Sequence, residues 1–197
     1  MVGLCIVSGV VIMVLVWGII LQLPKTRGWA FEKMVAVVLS WLPKKDYIVM
    51  NNLFFRDGRS TCQIDHLVIS PYGVFVIEAK NYLGVISGNG TNKMLRRKVL
   101  GMNYKTRNPI DQNNWHIKYL IDHFPIIRDH KEALMPIVVF NFSSSLRIKN
   151  APFPVCKIQN LLKTIKEFES VIISKNKIFS IQEEIKFKNK NFSNGKR

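Results

Sequence analysis

The chain has 197 residues, 48% of them hydrophobic, with 29 Lys and Arg against 13 Asp and Glu for a formal net charge of +16. The length bounds it to one domain with appendages, and the apolar content excludes a disordered chain. The charge directs attention to polyanions, nucleic acid or anionic lipid, and three cysteines without a C-x-x-C pair carry no zinc signature.

Val2 to Leu23 is a run of 22 residues with no charged side chain. As a helix it reaches about 33 Å, enough to cross a bilayer. Lys25, Arg27 and Lys33 follow, and no basic side chain precedes the run. The positive-inside rule then predicts a single-pass protein of the cell membrane with its C-terminal domain in the cytoplasm. Residues 24–28 read as a juxtamembrane linker. Trp29 to Leu42 has apolar residues at 31, 34, 35, 38, 39 and 42, a helical spacing ended by Pro43. Glu32 falls in its first turn, where the helix dipole favours an acid.

Tyr47 to Leu53 reads as a strand and Phe54 to Thr61 as a polar loop. Gln63 to Lys80 reads as two strands around Ser70-Pro71-Tyr72-Gly73, with the Pro and Gly of a type I turn. Pairing Ser70 with Gly73 sets Asp65 opposite Glu78, a bulge at the turn would slip that register by one, and alternation puts Glu78 and Lys80 on one face in either register. Both strands are apolar on both faces, which predicts a sheet covered by helices on each side. Two carboxylates and a lysine in such strands need a reason. A buried ion pair is one reading. A Mg²⁺ or Mn²⁺ ion held by Asp65 and Glu78 is the other.

Tyr82 to Arg107 is the hardest stretch to read: a short strand at Val85-Ile86, a turn at Gly88-Asn89-Gly90 and a further strand in the basic run around Arg97. From Ala79 to Ile110 there is no acid, yet there are seven bases: Lys80, Lys93, Arg96, Arg97, Lys98, Lys105 and Arg107. A phosphate backbone or anionic headgroups fit this stretch. Asn108-Pro109 opens a helix to about Phe124. Pro136 to Phe142 and Phe153 to Ile158 read as strands, and Asn160 caps a helix to Phe168. From Ser174 the chain is rich in Lys and Asn, with a short helix over Ile181–Phe187 and ten disordered residues at the end. Of the four histidines, His66 points away from Asp65 and reads as structural. His116 lies one turn beyond Gln112.

The pattern D-(x)12-E-x-K across a hairpin resembles the PD-(D/E)xK nucleases. Gly28-Trp29-Ala30-Phe31-Glu32, Gln63-Ile64-Asp65-His66, Pro71-Tyr72-Gly73 through Glu78-Ala79-Lys80-Asn81, Gly84-Val85-Ile86-Ser87-Gly88 and Asn108-Pro109-Ile110-Asp111-Gln112-Asn113 stand in the order of one branch, the nuclease-related domain (NERD) family. The resemblance covers roughly residues 27 to 142. It implies a mixed α/β fold, an α+β sheet flanked by helices with a restriction-endonuclease-like αβββαβ core. It further implies hydrolysis of phosphodiester bonds in nucleic acid, DNA before RNA. On this resemblance Asp65 and Glu78 ligate Mg²⁺ or Mn²⁺, Lys80 activates water and steadies charge, Glu32 is an extra acid and Gln112 a supporting polar group. Where family members carry Gly before the first acid, this chain has Phe31. The resulting division is a transmembrane helix at 2–23, the linker, a nuclease-like core at 29–142, its extension at 143–173 and a basic tail at 174–197. The rival expectation is a catalytically silent module that holds nucleic acid, protein or anionic lipid at the membrane.

Overall fold

A computed structural model describes residues 24–58 and 60–194. The apolar run Val2–Leu23 lies outside the described residues, and among those described no helix is long and apolar enough to cross a membrane.

Helix α1 (Pro24–Leu39) begins in the residues read as a linker and ends before Pro43. Phe31, Val35 and Leu39, spaced by one turn, bury one side of it. Strands β1 (Ile48–Asp57) and β2 (Ser60–Ser70) run through the stretch expected to be a loop, so only a tight turn separates them. Strand β3 (Gly73–Lys80) returns antiparallel, with Ser70 paired to Gly73 as the turn chemistry predicts. Strands β4 (Gly84–Asn89) and β5 (Met94–Val99) take up the strands expected at Val85-Ile86 and around Arg97, and β6 (Met102–Arg107) adds one the sequence does not announce. Helices α2 (Pro109–His123) and α3 (Pro125–Arg128) follow. Next come β7 (Leu134–Phe140), β8 (Ser144–Lys149) and β9 (Val155–Lys157), then α4 (Leu161–Lys166) and α5 (Lys175–Asn194). Asn108 caps α2, its side chain accepting from the Ile110 N–H, whereas Asn160 makes no capping bond at α4.

The strands form a five-stranded sheet in the order β1-β2-β3-β7-β9 and a four-stranded sheet in the order β6-β5-β4-β8. Helices flank the first sheet on both faces, a mixed α+β architecture. Phe31, Val35 and Leu39 of α1 pack with Phe75, Ile77, Val139, Leu161 and Ile165 on one face. Tyr119 and Leu120 of α2 and Ile178, Ile181 and Ile185 of α5 cover Leu67, Ile69, Val74 and Val76 on the other. Each such buried aliphatic side chain contributes about 1.5–3 kcal/mol. Helix α5 therefore belongs to the core. The expected short helix and disordered tail give way to a helix through Asn194, because Ile178, Ile181 and Ile185 repeat at helical spacing toward the sheet. The second sheet seats Ile86 and Leu95 on Ile110, Val138 and Phe140. The segments β3–β4 and β7–β8 run side by side and in parallel through both sheets.

Candidate active site at the junction of the two sheets

Strand β3 is buried from Gly73 to Ala79, and Glu78 is only 1% exposed. A lone carboxylate there carries a large desolvation cost, so its partners decide its state. Lys80 Nζ forms an ion pair with Glu78 Oε1. His116 Nε2 lies 3.0 Å from Glu78 Oε2, and Cys62 Sγ lies 3.3 Å from His116 Nδ1. Burial alone would raise the Glu78 pKa, but the His116 hydrogen bond and the Lys80 charge outweigh it and hold it below the usual value. Burial likewise opposes the charge on Lys80, and Glu78 overrides it, so the ammonium titrates above its usual range. An ionised Glu78 only accepts, so His116 Nε2 carries a proton. Burial and nearby Glu78 push the Cys62 thiol up to about 12, so its S–H faces Nδ1.

Asp65 sits where the pleat of β2 slips. Cys62 and Ile64 face the same core cluster as Leu67 and Ile69, which strict alternation forbids. In β1 the same slip occurs between Met50 and Leu53, around Asn52 at φ 52°. The pair Asn52 and Asp65 is missing from the ladder between Asn51↔His66 and Leu53↔Ile64. The β2–β3 ladder stops at His66↔Ile77, and beyond it the Ala79 N–H donates 2.9 Å to Asp65 Oδ2. Asp65 thus lies at the level of Glu78, as the turn count predicts, but meets β3 through its side chain. Burial, then Glu78, drives its pKa up to about 8 against the pull of the Ala79 N–H.

Glu32, half-buried on α1, shares a cleft of about 330 Å³ with Arg27, Lys80, Tyr82 and Arg97. Burial raises its pKa, with Lys80 opposing. Gln112 is not among the buried residues of α2; its neighbour Asn113 is, and donates to the carbonyls of Val76 (2.9 Å) and Ile137 (3.0 Å). The inward group of this helix at the site is His116. Ile110, Asn113, His116 and Leu120 are its buried face, and that spacing was the available signal. His66 is buried apart from the acids, with Nδ1 2.8 Å from Asn51 Oδ1, and burial pushes its pKa down to about 4.

The basic run divides by strand parity. Arg97 faces inward, its guanidinium 5.5 Å from the Tyr82 ring centre and 5.8 Å from that of Tyr104. Its Nε is buried without a hydrogen bond among the described residues. Arg96, Lys98, Lys105 and Arg107 are exposed on the opposite face of the second sheet, and Lys93 is exposed in the preceding turn. Register adds Arg147 and Lys149 of β8 to that face, a placement the sequence order hides. Among the described residues no three His, Cys, Asp or Glu side chains are grouped so as to hold a metal ion. Cys62 and Cys156 are free thiols.

The chain is similar to an uncharacterised protein of Bacillus anthracis, 40% identical over 98 residues, a match covering 49% of this chain and 46% of that protein. The matched stretch is thus about half the length of that relative. No solved structure matches the chain. The family model for the nuclease-related domain matches residues 27–141, from the first turns of α1 to the end of β7. With more than half of its length matched, the chain belongs to the nuclease-related domain family.

Proposed function

We propose that this protein is a metal-dependent phosphodiesterase of restriction-endonuclease-like fold that cuts nucleic acid, DNA before RNA, while held at the cytoplasmic side of the cell membrane by Val2–Leu23. The observation that carries the reading is the joining of Asp65, Glu78 and Lys80 at the end of the central strand, beside a cleft edged by Glu32 and Arg97. The donor chemistry suits Mg²⁺ or Mn²⁺, because both acids offer hard oxygens. The Asp65 carboxyl, pushed up to about 8 first by burial and then by Glu78, is a buried acid whose ionised form a dication would stabilise. Asp65 and Glu78 would hold the ion, which supplies a water of lowered pKa and charge for the phosphoryl oxygens. Lys80 sets a positive charge where the phosphate gains negative charge. His116 keeps the Glu78 carboxylate in one orientation, and Arg97 offers its guanidinium edge to a phosphate entering the cleft. Lys93, Arg96, Lys98, Lys105 and Arg107 would hold the flanking backbone, or anionic headgroups, from the exposed face.

One observation favours a second reading, a silent module that binds without cutting. Lys80 takes Glu78 Oε1 in a buried ion pair, and the described residues hold no ready three-ligand metal group. One experiment separates the two. The full chain in detergent is incubated with supercoiled, linear and single-stranded DNA and with RNA, in Mg²⁺, Mn²⁺ or chelator, beside Asp65→Ala and Lys80→Ala. Cleavage lost in chelator and in both variants supports the phosphodiesterase. Binding that persists in chelator without any cleavage supports the silent module.

A further inference from the structure

The second sheet carries exposed apolar side chains at the end where it joins the first. Val99 pairs with Met102, so Leu100 and Gly101 form the tip of the β5–β6 hairpin. Leu100 is 93% exposed and adopts φ 48°. The backbone of Gly84 lies so close that a Cβ there would stand 2.1 Å from the Lys98 carbonyl, which sets the tip level with Leu83 and Gly84. Gly84 pairs with Ser144, so Phe142, 64% exposed, stands at the same level, about 10 Å from the hairpin across two strand spacings. Phe142, Leu83, Ala30 and Met34 line a shallow groove together with Arg27. The Arg27 carbonyl accepts from Asn81 Nδ2 at 2.8 Å. This is therefore the end at which the chain arrives from Val2–Leu23.

We infer that the end carrying Leu100 and Phe142 lies on the surface of a lipid bilayer, with these two side chains in the boundary between headgroups and acyl chains. The inference rests on the reading of Val2–Leu23 as a membrane span. That run of 22 uncharged residues leads directly into Pro24, the first residue of α1, and so brings the bilayer to this end. An exposed leucine at a hairpin tip loses apolar contact with water when it meets the boundary region. Arg27 and Lys98, both exposed here, match anionic headgroups. Phe179 gives the comparison: it is 63% exposed, but it lies beside Pro71, at the opposite end of β3.

The test uses the full chain carrying Trp17→Phe, Trp29→Phe, Trp41→Phe and Trp115→Phe, reconstituted into vesicles of zwitterionic and anionic lipid brominated on the acyl chains. A single reporter is then placed as Leu100→Trp, Phe142→Trp or Phe179→Trp. Emission from the first two is expected to fall to about half, and the Phe179→Trp emission to stay near its value in unbrominated vesicles. Because Leu100 and Phe142 are exposed, the two reporters check one another without disturbing the core. Unquenched emission from both, or quenching no greater than that of Phe179→Trp, overturns the inference. Flotation of the same vesicles separates the causes. A chain that floats but is not quenched overturns this inference alone, and a chain that does not float overturns the membrane span with it.

Discussion

His116 Nε2 stands 3.0 Å from Glu78 Oε2, and Cys62 Sγ stands 3.3 Å behind the ring at Nδ1. A buried carboxylate is thereby oriented by an imidazole whose far nitrogen faces a thiol. Removing the ring leaves Glu78 short of a donor in a dry site. His116→Ala is expected to lower stability by about 1–3 kcal/mol in denaturant unfolding. His116→Gln, which keeps a donor, is expected to recover part of that loss and part of any Mg²⁺ or Mn²⁺ affinity measured by calorimetry.

Asp65 carries the pH dependence. Its usual value is 3.8, and in the fold it is pushed up to about 8 by burial and by Glu78. Between these values the folded protein keeps a proton that the unfolded chain has released. The Asp65 contribution to stability therefore falls as pH rises through this window, by at most about 1.4 kcal/mol per unit, while His66, lowered from 6.5 to about 4, works the other way in its lower part. Asp65→Asn removes that slope and is expected to raise the melting temperature at pH 8 in chelator. Mg²⁺ should recover stability at pH 8 in the natural protein and not in the variant. Thermal unfolding at pH 5 and pH 8, with and without Mg²⁺, checks both statements.

Lys80 and Arg97 reach the cleft from different sheets and are expected to fail differently. Lys80→Ala should abolish cleavage while leaving nucleic-acid affinity in chelator within about twofold, since one phosphate contact among many is lost. Arg97→Lys keeps the charge but loses the stacking on Tyr82 and Tyr104 and the planar fork. It should raise KM more than it lowers kcat, read from initial rates against substrate concentration.

Gly84 has no room for a side chain. With φ 85° and the Lys98 carbonyl 2.1 Å from a built Cβ, Gly84→Ala must displace backbone of β5. A loss of more than about 2 kcal/mol is expected in denaturant unfolding.

Helix α5 is expected to be indispensable. Deleting residues 175–197 uncovers the sheet face beneath Ile178, Ile181 and Ile185. The lost burial, roughly 4–9 kcal/mol, is comparable with the whole stability of a domain. The truncated chain should show no cooperative thermal transition.

The parts of this fold that follow local rules were legible. Phe31, Val35 and Leu39 announce α1 by their spacing, and Pro71 with Gly73 fixes the hairpin that levels Asp65 with Glu78. Alternation was reliable along β3, where Glu78 and Lys80 share a face. It failed in β2, because Asn52 in the left-handed region and Asp65 opposite it shift both strands by one residue together. Nothing in a period of two announces that slip. His116 was passed over because Gln112 carried the expectation, although the buried phase of α2 runs through Asn113 and His116. The last helix was obscured by composition. Lys and Asn dominate its solvent side, and among the described residues Ile178, Ile181 and Ile185 are its buried contact with the core. The basic face joins residues about fifty positions apart, Arg96 in β5 and Arg147 in β8, which meet only through the pairing of each with Ser87.

The junction beside the site is fastened by neutral groups. Asn81 Nδ2 donates to the Arg27 carbonyl at 2.8 Å, Asn141 Nδ2 bonds Asn81 Oδ1, and the Ser144 hydroxyl donates to the Tyr82 carbonyl at 2.5 Å. Amides and hydroxyls of this kind do not titrate in the physiological range, and mobile ions screen them little. Changing salt or pH should therefore alter how tightly a polyanion is held while the alignment of the two sheets stays constant, so capture is tunable and the framework around Lys80 is not.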